Sequence, residues 1–226
     1  MARGVRAVLF DLDGTLLDTA PDLIAAVNRL RAQQGLPMIA AEQFRPFVSK
    51  GGSAMMAAAF PHLEAAARAE LLPIFLDFYR QDIAQTTVLF PGFAEALVAL
   101  QQRGLRLGIV TNKPTWLVTP LLLALGLTEH FGAVLCGDSL AEKKPHPAPI
   151  LEACRRLAVA PEAAVMVGDD RRDIASARAA GSAALAAAFG YIGSDDDPAD
   201  WGADAVIDRP AGILDWLREH DDDAGG

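Results

Sequence analysis

The sequence predicts an α/β protein, a doubly wound parallel sheet that is interrupted early by an all-helical insertion. Three observations predict it. Short apolar, β-branched runs recur along most of the 226 residues, helical stretches closed by glycine separate them, and one long segment near the start has helical spacing and no strand. Val5 to Phe10 (VRAVLF) reads as the first buried strand and runs into an aspartate-rich loop. From about Asp18 to Thr86, Ala, Leu, Phe and Met recur at helical spacing. The first helix of this insertion has Pro21 in its first turn, carries Leu23, Ile24, Val27 and Leu30 on one face, and stops at Gly35 before Pro37. Pro73 is expected to divide a later pair of helices or to begin the second of them.

Alternation then sets in. Phe93 to Arg103 is closed by Gly104, Trp116 to Leu125 by Gly126 and Asp173 to Ala180 by Gly181, each glycine where a left-handed C-cap residue belongs. Strands are expected at Leu105 to Val110, Ala133 to Cys136, Ala164 to Val167, Ser182 to Ala187 and, more weakly patterned, Asp204 to Ile207. Such alternation predicts a Rossmann-like core. Residues 1–17 and 87–226 are assigned to this discontinuous core and residues 18–86 to the inserted helical domain. The acidic stretches Asp195 to Asp197 and Asp221 to Gly226 read as solvated and mobile.

Composition narrows the function classes. With 52% apolar and 22% charged residues the chain is that of a soluble globular enzyme. No apolar stretch approaches the roughly 20 residues that span a bilayer, and the first ten residues lack the build of a signal peptide, so a cytoplasmic protein without membrane contact is expected. A net charge of −9 argues against nucleic-acid partners, which need clustered Lys and Arg. Cys136 and Cys154 stand outside any CxxC pair, and His62, His130, His146 and His220 form no ligand spacing, so neither a disulfide framework nor a zinc site is expected.

The chemistry concentrates directly after the first strand, at Asp11-Leu12-Asp13-Gly14-Thr15. Residues two apart in an extended chain point to the same side, so Asp11 and Asp13 face one site while Leu12 faces the core. Two carboxylates so placed repel each other unless a cation or proton is shared. By itself the pair is equally an aspartate-rich turn. Further on, one strand ends in Thr111-Asn112, a Lys144-Pro145-His146-Pro147 element follows, and another strand ends in Gly168-Asp169-Asp170, with Asp173 after it.

These four motifs, beginning with DLDGTLLDT at Asp11 to Thr19, resemble in order those of the haloacid dehalogenase superfamily of aspartate-nucleophile phosphatases. The resemblance implies a nucleophile at Asp11, a general acid and base at Asp13, a phosphate donor at Thr111 with Asn112 beside it, and a charge-neutralising amine at Lys144. It also implies Mg²⁺ held by Asp11, the main-chain carbonyl of Asp13, and Asp169, with Asp173 as an orienting or water-mediated partner. Each role is physically reasonable. A carboxylate is ionised at neutral pH and needs no base to activate it, and its acyl phosphate is readily attacked by water. At ~4 Å and an effective dielectric near 20, a carboxylate facing a phosphate dianion is disfavoured by roughly 8 kcal/mol, so attack requires local cations. Position 170 is Asp where relatives commonly carry Ser or Thr, and position 172 is Arg where Asn is frequent. Asp170 reads as a helix cap or as an added charge at the metal site.

In this superfamily a helical insertion between the first two motifs is a cap that closes over small substrates. Its specificity loop is expected at Phe47 to Ser53, with Lys50, Gly51 and Gly52 contacting a substrate anion; a plain helix–helix turn is the alternative. The opening motif, the cap type and Gly190-Tyr191 look most like phosphoglycolate phosphatases. An N-acetylmuramic acid 6-phosphate phosphatase and a phosphoglucomutase-like phosphotransferase share the motifs and remain alternatives. A true dehalogenase does not fit, because that branch lacks the second aspartate.

Overall fold

The computed structural model describes residues 4–222, so the end of the acidic tail, residues 223–226, lies outside the described residues. The chain runs through β1 (Ala7–Phe10) and a short β2 (Leu17–Asp18) into four helices, α1 (Ala20–Gln33), α2 (Ala41–Phe44), α3 (Gly52–Ala59) and α4 (Ala65–Gln81). It continues through β3 (Val88–Leu89), α5 (Phe93–Gln102), β4 (Arg106–Val110), α6 (Thr115–Ala124) and β5 (Ala133–Leu135). The last part comprises α7 (Ala148–Arg156), β6 (Ala164–Gly168), α8 (Arg171–Ala180), β7 (Ala183–Ala187), β8 (Ala205–Ile207) and α9 (Ala211–Asp222).

Six strands form one sheet in the order β5-β4-β1-β6-β7-β8, every neighbouring pair parallel. All six strands expected from the sequence are present. Residues of each central strand alternate between two cores. Val8, Phe10, Val165, Val167, Leu185 and Ala187 pack into one that also takes in α1 to α4, while Ala7, Leu9, Met166 and Ala186 pack into a second with Ile150 of α7 and Ile174 of α8. Burial on both faces is why these strands read as continuous apolar runs rather than alternating ones. β1 lies at the centre, where the winding direction reverses: β4 and β5 lie to one side, β6 to β8 to the other. In such sheets ligands bind at the carboxyl ends of the strands flanking that reversal.

The pairing of β2 with β3, Leu17 opposite Leu89 and Asp18 opposite Val88, was not expected from the sequence. Two-residue strands carry too short a pattern to be read. Asp22 of α1 reinforces the pairing, because its carboxylate accepts from the backbone N–H and the hydroxyl of both Thr86 and Thr87, at 2.5 to 3.0 Å. The two chain crossings between the sheet and α1 to α4 are thus stitched together.

Pro73 corrects an expectation: it neither divides nor begins a helix but lies inside α4. A proline forfeits one intrahelical bond, here to a carbonyl one turn earlier, and Pro73 is exposed, so water can satisfy that group. The buried Phe75, Phe78 and Tyr79 hold the second half of the helix against its neighbours. The Asp195 to Asp197 loop is also more tied than expected, since Asp196 accepts from the Arg171 guanidinium at 2.9 Å and the Trp201 indole at 2.8 Å. Among the described residues no helix is long and apolar enough to cross a membrane.

Candidate active site

Asp11 directly follows β1, Thr111 follows β4 and Asp169 follows β6, which places all three at the carboxyl edge of adjacent strands. The turn after Asp11 needs glycine. Gly14 has φ +86, and a β-carbon there would stand 2.1 Å from Asp169 Oδ2, so only a bare backbone lets the β1 loop approach β6 this closely. Carboxylate oxygens of Asp11, Asp169 and Asp173 lie within 4.8 Å of one another, and all three residues are buried. Lys144 Nζ sits among them, 2.8 Å from Asp11 Oδ1 and 2.6 Å from Asp173 Oδ1.

The cluster carries more negative than positive charge, and burial makes that excess costly. Burial and then the Asp11 charge push the Asp169 carboxyl up to about 7. Asp173 is raised too, chiefly by burial, with Lys144 opposing and Asp11 and Asp169 adding to the rise. Burial alone would lower the Lys144 ammonium, but Asp11 and Asp173 outweigh it and hold it above the ordinary lysine range.

Asp169, Asp173 and Lys144 are each held by more than one neighbour. Asp169 accepts from Thr15 Oγ1 at 2.9 Å, Ser49 Oγ at 2.6 Å and the Tyr191 N–H at 2.9 Å. Asp170 and Asp173 form a reciprocal capping box at the start of α8: Asp170 accepts from the Arg172 N–H, and Asp173 accepts from the Asp170 N–H. Of the two readings left open for Asp170, the structure therefore has the cap. Its carboxylate also receives the Arg172 guanidinium, which reaches on to the Ser49 carbonyl. Asp13 Oδ1 accepts from Thr19 Oγ1 at 2.6 Å and from Lys113 Nζ at 2.8 Å.

Above this cluster lies a cavity of about 190 Å³. Asp11, Asp13, Thr111, Asn112, Lys144, Asp173, Gly51 and Gly52, all singled out in the sequence, line it; Asp169 does not, though its carboxylate lies within 4.8 Å of that of Asp11. Lys50 does not line it. The residue faces a separate groove with Phe47, Arg171 and Asp196, because the turn that brings Gly51 and Gly52 inward carries their neighbour outward. Asn112 lines the cavity, yet its side-chain amide bonds both the N–H and the carbonyl of Lys144, at 3.1 and 2.9 Å, so it fixes the Lys144 loop.

Two participants were not singled out from the sequence, Lys113 and Ser49. The signal for Lys113 was available: it stands two residues past Thr111, the same spacing that pairs Asp11 with Asp13. Its ammonium is buried, lies 4.4 Å from the centroid of the Tyr79 ring, and is raised above its ordinary range because Asp13 and Tyr79 outweigh the opposing effect of burial. Ser49 donates to Asp169 and stands 3.2 Å from the main-chain carbonyl of Asp13. Nothing in a lone serine of a glycine-rich loop marks that contact.

Carboxylates and a buried amine gathered where a doubly wound sheet reverses define a class of α/β enzyme. Within that class, the chain belongs to the haloacid dehalogenase-like hydrolases, whose family model matches residues 8–187. A phosphoglycolate phosphatase of Xanthomonas campestris pv. campestris is 51% identical over 205 residues, covering 91% of this chain and 93% of that one. An N-acetylmuramic acid 6-phosphate phosphatase of Pseudomonas aeruginosa is 42% identical over 214 residues, covering 94% and 95%. The crystal structure of a predicted phosphoglycolate phosphatase from Haemophilus somnus 129PT superposes with a TM-score of 0.84 at 31% identity, covering 94% of this chain and 97% of that one.

Proposed function

We propose that this hydrolase releases phosphate from a small phosphomonoester, 2-phosphoglycolate, through an aspartyl-phosphate on Asp11. The observation that carries the reading is Asp11 at the floor of a small cavity, paired with Lys144 at 2.8 Å and followed two residues on by Asp13. In the first step an Asp11 oxygen bonds to phosphorus, the phosphorus–ester oxygen bond breaks, and Asp13 gives its proton to the departing alkoxide. Water then attacks the same phosphorus, Asp13 takes a proton from it, and the bond to Asp11 breaks to give inorganic phosphate. Lys144 and the Thr111 hydroxyl, with the loop N–H groups, meet the negative charge on the phosphoryl oxygens.

The donor set fits a hard divalent cation, since three buried carboxylates face one another with Lys144 as the ammonium in direct contact. Asp11, Asp169 and the main-chain carbonyl of Asp13 would hold Mg²⁺, which when bound supplies charge against the repulsion between Asp11 and a phosphate dianion. Asp173, tied to Lys144 and to the Asp170 N–H, positions Lys144. Residues 18–86 act as a cap over the core formed by residues 1–17 and 87–226, with Gly51 and Gly52 meeting the substrate. Two unpaired, buried cysteines suit a reducing, cytoplasmic setting.

Cavity size supports phosphoglycolate over the muramic acid ester. About 190 Å³ lies below the roughly 300–1,000 Å³ of sites that enclose drug-sized ligands, and N-acetylmuramate 6-phosphate is of that larger kind. Free phosphate should be measured with 2-phosphoglycolate, N-acetylmuramate 6-phosphate and hexose phosphates, with and without Mg²⁺. Mg²⁺-dependent release that favours phosphoglycolate is expected. Interconversion of hexose phosphates without release would overturn the reading in favour of a phosphotransferase.

A further inference from the structure

Three cationic side chains line the cavity among the described residues: Lys144, Arg172 and Lys113. All three are paired with protein carboxylates, and they differ in how many carboxylate oxygens they meet. Lys144 lies between two carboxylates, Asp11 and Asp173. Arg172 places its fork on both oxygens of Asp170 and bonds the Ser49 carbonyl. Lys113 has a single carboxylate oxygen, Asp13 Oδ1, and that oxygen is already shared with the Thr19 hydroxyl. An ammonium has three donors, and the other neighbour of this one is the face of the Tyr79 ring. The Tyr79 hydroxyl is itself buried without a hydrogen-bond partner. Around this wall stand Leu23, Met55, Leu72, Leu76 and Leu117, which offer an anion nothing.

Position decides which anion could use it. On the reading proposed above, Asp13 touches the ester oxygen that leaves, and Lys113 Nζ is 2.8 Å from Asp13. An anionic group that reaches Lys113 therefore lies near the leaving oxygen. A carboxylate on the very carbon that carries the phosphate meets this condition most directly.

We propose that Lys113 is the specificity residue of this site and binds the carboxylate of 2-phosphooxycarboxylates, a contact with a substrate anion of the kind expected of Lys50 from the sequence. The inference rests on the phosphatase reading and names the substrate class that reading would favour. The test compares 2-phosphoglycolate with 2-hydroxyethyl phosphate, which has the same skeleton without the carboxylate, on wild type, Lys113→Met and Lys113→Arg. Lys113 also touches Asp13, so turnover of both esters by Lys113→Met will fall by some common factor. The decisive quantity is the ratio of kcat/KM between the two esters. Wild type should prefer phosphoglycolate, and Lys113→Met should reduce that preference about 10- to 100-fold, the worth of a hydrogen bond to a charged group, mainly through KM. Lys113→Arg, which keeps the charge, should retain part of it, and circular dichroism should show all three proteins folded.

A preference ratio unchanged in Lys113→Met would make Lys113 only a support for Asp13 and would overturn the inference, as would a wild type that does not distinguish the esters. A wild type that releases phosphate from neither overturns the phosphatase reading itself, and this inference with it.

Discussion

At the floor of the cavity, Lys144 pairs with Asp11 and Asp173, while Asp169, whose carboxylate lies within 4.8 Å of both of theirs, is held by Thr15, Ser49 and the Tyr191 N–H. On the cavity wall, Lys113 stands against one carboxylate oxygen and one aromatic face, in a lining that includes several leucines. The floor is held from many directions and has little freedom left, which suits chemistry on a group that every substrate shares. The wall keeps unused donors, which suits choosing among substrates. Substitutions on the floor should therefore cost activity toward every ester alike, and substitutions on the wall should change which ester is preferred.

The largest break should come from Asp11→Asn, which keeps the shape of the side chain and removes its charge. Phosphate release should fall by roughly 10⁴-fold or more for all esters, as for removal of other enzymic nucleophiles, while circular dichroism and thermal unfolding still report a folded protein. Asp13→Asn should cost about 10²- to 10⁴-fold, the range of general acid–base catalysis. Esters with more acidic leaving groups, such as an aryl phosphate, should lose less because they need the proton less, and an equal loss would exclude proton transfer by Asp13.

Lys144→Met removes the one ammonium among the described residues in direct contact with Asp11 and Asp173. Breaking a buried pair in this way costs about 3–5 kcal/mol of folding stability, to be read by urea unfolding of the metal-free protein. Added Mg²⁺ should return part of the loss, and a variant as stable as wild type without metal would show that the cluster is not short of positive charge.

pH probes the same excess. The Asp169 carboxyl is raised from 3.8 to about 7 in the fold, so between these values the folded protein holds a proton that the unfolded chain has released. Stability of the metal-free protein contributed by this group should therefore decrease as pH rises from about 4 to about 7 and level off above, and Asp173, also raised, acts in the same direction. Asp169→Asn should flatten that dependence in thermal melts across the range. The smallest effect sharpens the contrast: Lys50 lies outside the cavity, and Lys50→Ala should leave kcat/KM for phosphoglycolate within about twofold, as for most surface substitutions.

Much of the site was legible in the sequence because Asp11, Thr111 and Asp169 each follow a strand with a readable apolar pattern, the strands ending at Phe10, Val110 and Gly168. Local chemistry served as well at α8, where Asp170 and Asp173 cap the helix as their spacing suggests. The wall was less legible, because it depends on how helices meet the sheet. Lys50 and Lys113 are both lysines in loops with glycine or proline nearby, and only tertiary packing turns one outward and the other onto Tyr79. Pro73 was misread for a related reason, since burial of Phe75, Phe78 and Tyr79 outweighs one lost helical bond.

The account stands most directly on the bond between Asp11 and phosphorus. A single turnover of 2-phosphoglycolate by wild type with Mg²⁺, quenched in acid within the first catalytic cycle and digested for mass spectrometry, should place a phosphoryl group on the peptide that contains Asp11, at the Asp11 carboxylate. A phosphoryl group on another residue, or full turnover of substrate by Asp11→Asn, would contradict it.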